Sequence, residues 1–270
     1  MLLHHTIEGP IAAARVLLLH PVGIDLTFLA PLGALLATRY RVMRMDLRGH
    51  GQSPVHDAHG QPAGSLDEFA QDVHETLSQT GFAPCTIAGF SFGGMVAQTL
   101  ALRHPGDVKA LMLCACPCTL TEERRAISLA RGTDALRDGM GAVIDATMAR
   151  WFTPAFRNSD STLTARQHLL EGNVLGWAQG WLAISQIDTL QHLPTLRLPA
   201  LCIAGELDLS STPDNVAQIA DAIPGAQYQI VAGAPHMLFI EQPEAVAQLM
   251  LPFLDAHSAE EGTKPAVRLA

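Results

Sequence analysis

No apolar run in this chain of 270 residues approaches the roughly 20 needed to cross a bilayer, which excludes a helical membrane protein. The first residues, Met1-Leu2-Leu3-His4-His5, lack the charged start, long apolar stretch and cleavage site of a signal peptide. A cytoplasmic protein is expected. Charge is sparse, at 16% of residues, and basic residues are outnumbered, with 17 Lys and Arg against 26 Asp and Glu and a net charge of −9. That balance excludes nucleic acid and anionic membrane surfaces as partners. Cysteine is scarce as well: five residues, an odd count, without the spacing of a disulfide framework. Cys114, Cys116 and Cys118 alternate, but zinc ligands usually have two to four residues between them and need further partners. The run into Cys114 reads as a buried strand, so packed thiols are expected there. His4, His5, His56 and His59 lie in polar stretches and read as solvated surface. Internal repeats are absent, and neither a metal nor a cofactor is expected.

What is present is an apolar content of 48%, enough for a large buried core. It is arranged in alternation. Short β-like runs at residues 16–19, 41–45, 85–88, 109–114, 200–204 and 227–231 alternate with helical stretches at 28–38, 66–80, 92–104, 213–223 and 243–256. Asp67 and Pro213 are suitable helix-start residues. The pattern predicts an α/β fold with a mostly parallel, twisted sheet and helices on both faces. Between residues 119 and 193 the alternation stops and a helical insertion, read as a lid, is expected. The core then comprises residues 1–118 and 194–256, and residues 257–270 form a flexible tail. All three tryptophans, Trp151, Trp177 and Trp181, fall inside the insertion. Either they pack it together, or they shape a substrate pocket, to which Trp151, Trp177, His20 and Met237 are assigned.

One stretch carries chemistry. In Gly89-Phe90-Ser91-Phe92-Gly93-Gly94 a serine stands between small residues where a strand passes into a helix. Such a turn lifts the hydroxyl clear of the backbone and turns the first helical amides toward it. A serine needs a base, and the base needs an orienting acid. His236, in the loop Gly233-Ala234-Pro235-His236, follows one predicted strand, and Asp208, in Gly205-Glu206-Leu207-Asp208, follows another; Glu206 is the competing acid. Acyl transfer also needs donors for a developing oxyanion. Phe92 follows the serine and Val22 follows the first core strand, whereas Pro21 has no amide hydrogen to give.

The order Ser91, Asp208, His236 and the serine turn resemble the α/β-hydrolase superfamily over residues 15–256. The turn Asp46-Leu47-Arg48-Gly49-His50-Gly51-Gln52-Ser53 is similar to a structural loop of that group, with no chemistry assigned to Asp46 or His50. Within the superfamily, Gly23-Ile24-Asp25-Leu26, Arg150-Trp151-Phe152-Thr153-Pro154-Ala155-Phe156-Arg157 and the stretch from Gly176-Trp177 to Ile187-Asp188 are similar to 3-oxoadipate enol-lactonases. His20-Pro21 departs from their pattern. The resemblance implies a cofactor-free serine hydrolase of a small ester or lactone. Ser91 would be the nucleophile, His236 the base and Asp208 the acid, with the amides of Val22 and Phe92 as the oxyanion hole. Arg150 and Arg157 are candidate cations for a dicarboxylate-like substrate. A carbon–carbon bond hydrolase of ring-cleavage products, a general carboxylesterase and a non-catalytic ligand-binding protein are the alternatives.

Overall fold

The computed structural model describes residues 1–257; the expected tail lies outside the described residues apart from His257. A seven-stranded sheet has the order β1-β3-β2-β4-β5-β6-β7. Its strands are β1 (His5–Glu8), β2 (Arg15–Leu19), β3 (Arg41–Met45), β4 (Cys85–Phe90), β5 (Val108–Cys114), β6 (Ala200–Gly205) and β7 (Gln227–Val231). Only β1 runs antiparallel, against β3; every other neighbouring pair is parallel. β4 and β6 are buried along their whole length, as strands covered on both faces must be, which is why they read as continuous apolar runs.

Helices α1 (Ala30–Ala37), α2 (Leu66–Thr80), α3 (Phe92–Arg103), α8 (Pro213–Ala222) and α10 (Pro243–His257) agree with the periodic stretches to within two residues at nearly every end. α2 starts one step earlier than Asp67 suggests. The Ser65 side chain accepts the Glu68 amide, and Asp67 and Glu68 fill the first turn, where the helix dipole favours negative charge. Two elements escaped the pattern: β1 and a single turn, α9 (Leu238–Glu241). The sequence His5-Thr6-Ile7-Glu8 is short and polar. It becomes a strand because its backbone pairs in register with β3, His5 opposite Met45. His4 and His5 are consequently half-buried rather than solvated. The His4 Nδ1–H donates to Asp46 Oδ2 at 2.7 Å.

Residues between β5 and β6 form α4 (Glu122–Asp138), α5 (Gly141–Trp151), α6 (Asp160–Glu171) and α7 (Val174–Ser185). The Thr121 side chain accepts the Arg124 amide to start α4. A β-bridge between Thr119 and Asp188 joins the two ends of this insertion. On the core side of that bridge, the Thr189 amide donates to the Cys118 carbonyl at 2.8 Å, and the Thr189 hydroxyl donates to Gln98 Oε1 at 2.6 Å. Because β2, β4, β6 and β7 are parallel, the loops leaving their carboxyl ends gather at one edge, where open α/β sheets form crevices. No described helix is long and apolar enough to cross a membrane.

Candidate active site

Ser91 occupies the one-residue gap between β4 and α3, with φ 51° and ψ −114°. A non-glycine residue held at such angles is strained by roughly 1–3 kcal/mol, so the surroundings must impose the conformation. The Ser91 amide donates to the Cys114 carbonyl at the end of β5 at 2.8 Å. Its own carbonyl accepts from Gly94 and Met95 at 2.9 and 3.1 Å. The flanking glycines permit the crossing: a Cβ on Gly89 would stand 2.3 Å from the Gly93 carbonyl oxygen, and one on Gly93 would stand 2.4 Å from that of Leu19.

His236 Nε2 lies 3.0 Å from Ser91 Oγ, and His236 Nδ1 lies 2.8 Å from Asp208 Oδ2. A carboxylate can only accept, so Nδ1 carries the hydrogen and Nε2 presents its lone pair to the serine hydroxyl. Asp208 uses its other oxygen as well: Oδ1 accepts the amides of Ser210 and Ser211 at 2.7 and 2.9 Å. The carboxylate is thereby fixed by backbone on one side and aimed at the imidazole on the other. Glu206 has a different task, since its Oε2 accepts the Gly233 amide at 2.7 Å and braces the start of the histidine loop. All three of Ser91, Asp208 and His236 are buried.

On the other side of the serine, Val22 lines the cavity and Phe92 is the first residue of α3. A first helical residue has no preceding turn to take its N–H. The neighbouring His20 belongs behind the cavity wall, not in it. Its Nδ1–H donates to the Pro21 carbonyl at 2.7 Å and its Nε2 accepts the Leu47 amide at 2.9 Å, so both ring nitrogens are engaged with backbone. Burial holds this imidazole neutral, its pKa pushed down to about 4. His50, 5.2 Å away between ring centres, is pushed down to about 3 by burial, with His20 adding to the effect. The Asp46 turn is a scaffold, as expected: Asp46 Oδ1 accepts the Leu26 amide at 2.8 Å and Oδ2 the Gln52 amide at 2.9 Å.

The cavity above Ser91 is lined by Val22, Met95, Trp151, Trp181, Arg124 and Arg131 among others. Trp151 is where the sequence reading put it. Trp177 and Met237 are not cavity residues. The Trp177 indole N–H donates to the Arg131 carbonyl at 3.0 Å, and its ring packs edge-on against Trp181 with centres 5.5 Å apart. Met237 is fully buried beneath the histidine loop, where its amide donates to the Trp151 carbonyl at 3.1 Å. The cations differ too. Arg157 is turned back on its own segment, donating to the Ala149 carbonyl, whereas Arg124 and Arg131 face the cavity. Their spacing of seven along α4, which puts both on one face, was the signal available in the sequence.

All five cysteines are free and buried, and burial drives their thiols upward, Cys85 and Cys202 to about 12. They are packing groups rather than reactive thiols. Among the described residues, one histidine–acid cluster lies elsewhere: His74, His104 and Asp107. His74 Nδ1–H donates to Asp107 at 2.6 Å, and the His74 and His104 rings stack at 3.9 Å with only 8° between their planes. The ion pair and the ring stack tie α2 to the turn after α3.

Comparison with known proteins agrees with this fold. A curated relative, 3-oxoadipate enol-lactonase 1 of Acinetobacter baylyi, is 26% identical over 250 residues, covering 92% of this chain and 91% of the relative. Among solved structures, an enol-lactonase from Burkholderia xenovorans LB400 superposes with a TM-score of 0.86 at 30% identity, covering 94% of this chain and 96% of that one. A thermophilic esterase from Thermogutta terrifontis, with malate bound, gives a TM-score of 0.87 at 26% identity, covering 95% and 94%. The family described by its alpha/beta hydrolase fold matches residues 2–243, nearly the whole described chain; the protein belongs to the α/β-hydrolase family.

Proposed function

We propose that this protein is a cofactor-free serine hydrolase that cleaves a small ester or lactone through an acyl-enzyme on Ser91. The observation that carries the reading is the unbroken hydrogen-bonded line from Ser91 Oγ through His236 to Asp208, at 3.0 and 2.8 Å, on a serine held in a strained turn. In the first half-reaction Ser91 Oγ attacks the acyl carbon and its proton passes to His236 Nε2. Asp208 steadies the imidazolium that results. Negative charge collects on the former carbonyl oxygen, which the amides of Val22 and Phe92 would receive. Collapse breaks the bond to the leaving oxygen, which takes the proton from His236. For a lactone that oxygen stays tethered to the acyl chain. In the second half-reaction a water loses a proton to His236 and attacks the ester carbon, and Ser91 recovers the proton as the acid departs.

Residues 119–193 act as a lid in this reading. They supply Trp151, Trp181, Arg124 and Arg131 to the cavity roof, which keeps bulk water from the acyl-enzyme. The likeness to enol-lactonases supports a lactone as the natural substrate over a simple ester. Turnover of p-nitrophenyl acetate, with Ser91→Ala as control, tests the proposal. The wild type should release p-nitrophenol in a burst followed by a steady rate, and Ser91→Ala should fall to the background of the buffer. Equal slow hydrolysis by both proteins rejects it.

A further inference from the structure

Among the described residues, the backbone amides of Val22 and Phe92 have no hydrogen-bond acceptor. Phe92 owes this to its place at the start of α3. Val22 has no such reason. It is only 3% exposed, and a buried N–H is nearly always paired. Other parts of the fold must therefore hold the Val22 amide away from the carbonyls around it.

One hold comes from the core. The Pro21 carbonyl belongs to the same trans peptide unit as the Val22 N–H, so the two point in opposite directions. His20 Nδ1–H donates to that carbonyl at 2.7 Å, and the Leu47 amide fixes the ring by donating to its Nε2. The Val22 N–H is thereby turned away from His20. A second hold comes from the insertion. Helix α7 lies so close to this loop that a Cβ on Gly180 would stand 2.6 Å from Val22 Cγ2, and one on Gly23 would stand 2.6 Å from the Trp177 ring. One turn earlier, a Cβ on Gly176 would stand 2.0 Å from the Gly49 carbonyl oxygen, so α7 rests on the Asp46 turn as well. The missing side chain of Gly180 makes a notch, and the Val22 side chain fills it. A β-branched side chain has little rotational freedom, so seating its methyl also fixes the backbone that carries it.

We propose that Gly180 is a positioning residue for the oxyanion hole: its notch in α7 seats Val22, which keeps the Val22 N–H aimed at the oxygen that becomes negative when Ser91 attacks. The inference deepens the assignment of Ser91 as the nucleophile and rests on it. It gives the insertion a part in the chemistry besides roofing the cavity, because the hole is complete only while α7 is docked on the loop. A displacement of about 1 Å in such a contact costs about 10²-fold in rate, and outright removal of one donor costs about 10²–10³.

The test moves a methyl group across the contact. Gly180→Ala, Val22→Ala and the double variant are compared with wild type in kcat/KM for p-nitrophenyl acetate and in inhibition by phenylboronic acid. In the inhibited form Ser91 Oγ bonds to boron, the serine proton passes to His236, and one boron hydroxyl takes the place of the oxyanion. Gly180→Ala, whose methyl collides with Val22 Cγ2, should lower kcat/KM by about 10²-fold and weaken inhibition to a similar degree. Val22→Ala empties the notch and should lower both several-fold. In the double variant the added methyl fills the space that Val22 gave up, and both quantities should recover most of the loss. Gly132→Ala is the control for packing of the insertion. Its Cβ would press on another side of α7, 3.1 Å from the Ala178 carbonyl oxygen, so it should lower the melting temperature and leave kcat/KM and inhibition unchanged. Wild-type kcat/KM in Gly180→Ala, a loss that the double variant does not repair, or a loss of kcat/KM with undiminished inhibition overturns the inference and leaves the serine mechanism standing. Should Gly180→Ala fail to fold, Val22→Ala decides: wild-type values in both measurements overturn the inference, and a joint fall supports it. A wild type that neither hydrolyses the ester nor binds the boronic acid overturns the reading of Ser91, and this inference with it.

Discussion

Glu241 grips Thr153 twice: Oε1 accepts the Thr153 amide at 2.7 Å and Oε2 accepts its hydroxyl at 2.9 Å. The two residues come from different parts of the chain. Thr153 directly follows α5 of the insertion, two residues after the cavity-lining Trp151, and Glu241 ends the short helix after His236. The Met237 amide adds a third tie, to the Trp151 carbonyl. The segment that carries the proposed base and the segment that carries part of the cavity roof are therefore held as one body. Burial raises the Glu241 pKa above the usual carboxylate range, and Thr153 is what keeps the charged form acceptable there.

Removing that grip should be felt in both stability and activity. Glu241→Ala leaves the Thr153 amide and hydroxyl without their acceptors, a loss of about 1–3 kcal/mol. Urea unfolding should report it, and kcat on p-nitrophenyl acetate should fall about tenfold or more as His236 loses its fixed position. An Ala variant with wild-type kcat would mean that the tie supports the fold without positioning the base.

The two acids near His236 are separable by substitution. Asp208→Asn should lower kcat by about 10⁴ with little change in melting temperature, because an amide there selects the wrong imidazole tautomer. Glu206→Gln should lower kcat less than tenfold, since its oxygen serves only the Gly233 amide. The opposite ranking would transfer the acid role to Glu206.

His20 and His50 make acid stability predictable. Their folded pKa values lie near 4 and 3, below the unfolded value of 6.5. Between pH 6.5 and 4 the unfolded chain thus takes up two protons that the folded chain refuses. Proton uptake favours unfolding, so stability should fall as pH drops through this window, by about 1.4 kcal/mol per pH unit for each histidine once fully below 6.5. His50→Asn, which retains a donor toward the Arg48 carbonyl, should roughly halve the histidine part of the slope in urea unfolding at pH 6.0, 5.0 and 4.5. An unchanged slope would show that His50 titrates normally in the folded state.

Arg48 and Asp72 form a forked ion pair, Nε to Oδ2 and Nη2 to Oδ1 each at 2.6 Å, with both side chains buried. Asp72→Ala strands a buried guanidinium and should destabilise the protein by about 3–5 kcal/mol. The double variant Arg48→Met, Asp72→Leu removes the uncompensated charge and should recover most of that loss in thermal unfolding. Equal damage from the single and double variants would locate the effect in packing.

The readable parts of this chain share a property: their signal is local. The strand at 41–45 and the helix at 66–80 have the bounds that periodicity and turn residues gave them, because burial on one or both faces imposes a repeat on neighbouring residues. Ser91 was conspicuous for the same reason, since the glycines that a close strand–helix crossing requires are adjacent to it in sequence. β1 was unreadable because four residues, three of them polar, become a strand only through backbone pairing with β3.

The site divides the same way. Sequence alone determined which side chains stand at the ends of parallel strands, and so brought Ser91, Asp208 and His236 to one edge of the sheet. Tertiary structure alone decided which groups face the cavity. Trp177 and Trp181 lie on the same face of one helix, yet one indole N–H finds a carbonyl and the other is buried without a partner. Four residues apart in the chain, they differ only in what the rest of the fold packs against them. Which wall of a cavity a side chain joins depends on contacts between segments distant in sequence, and no local repeat encodes those contacts.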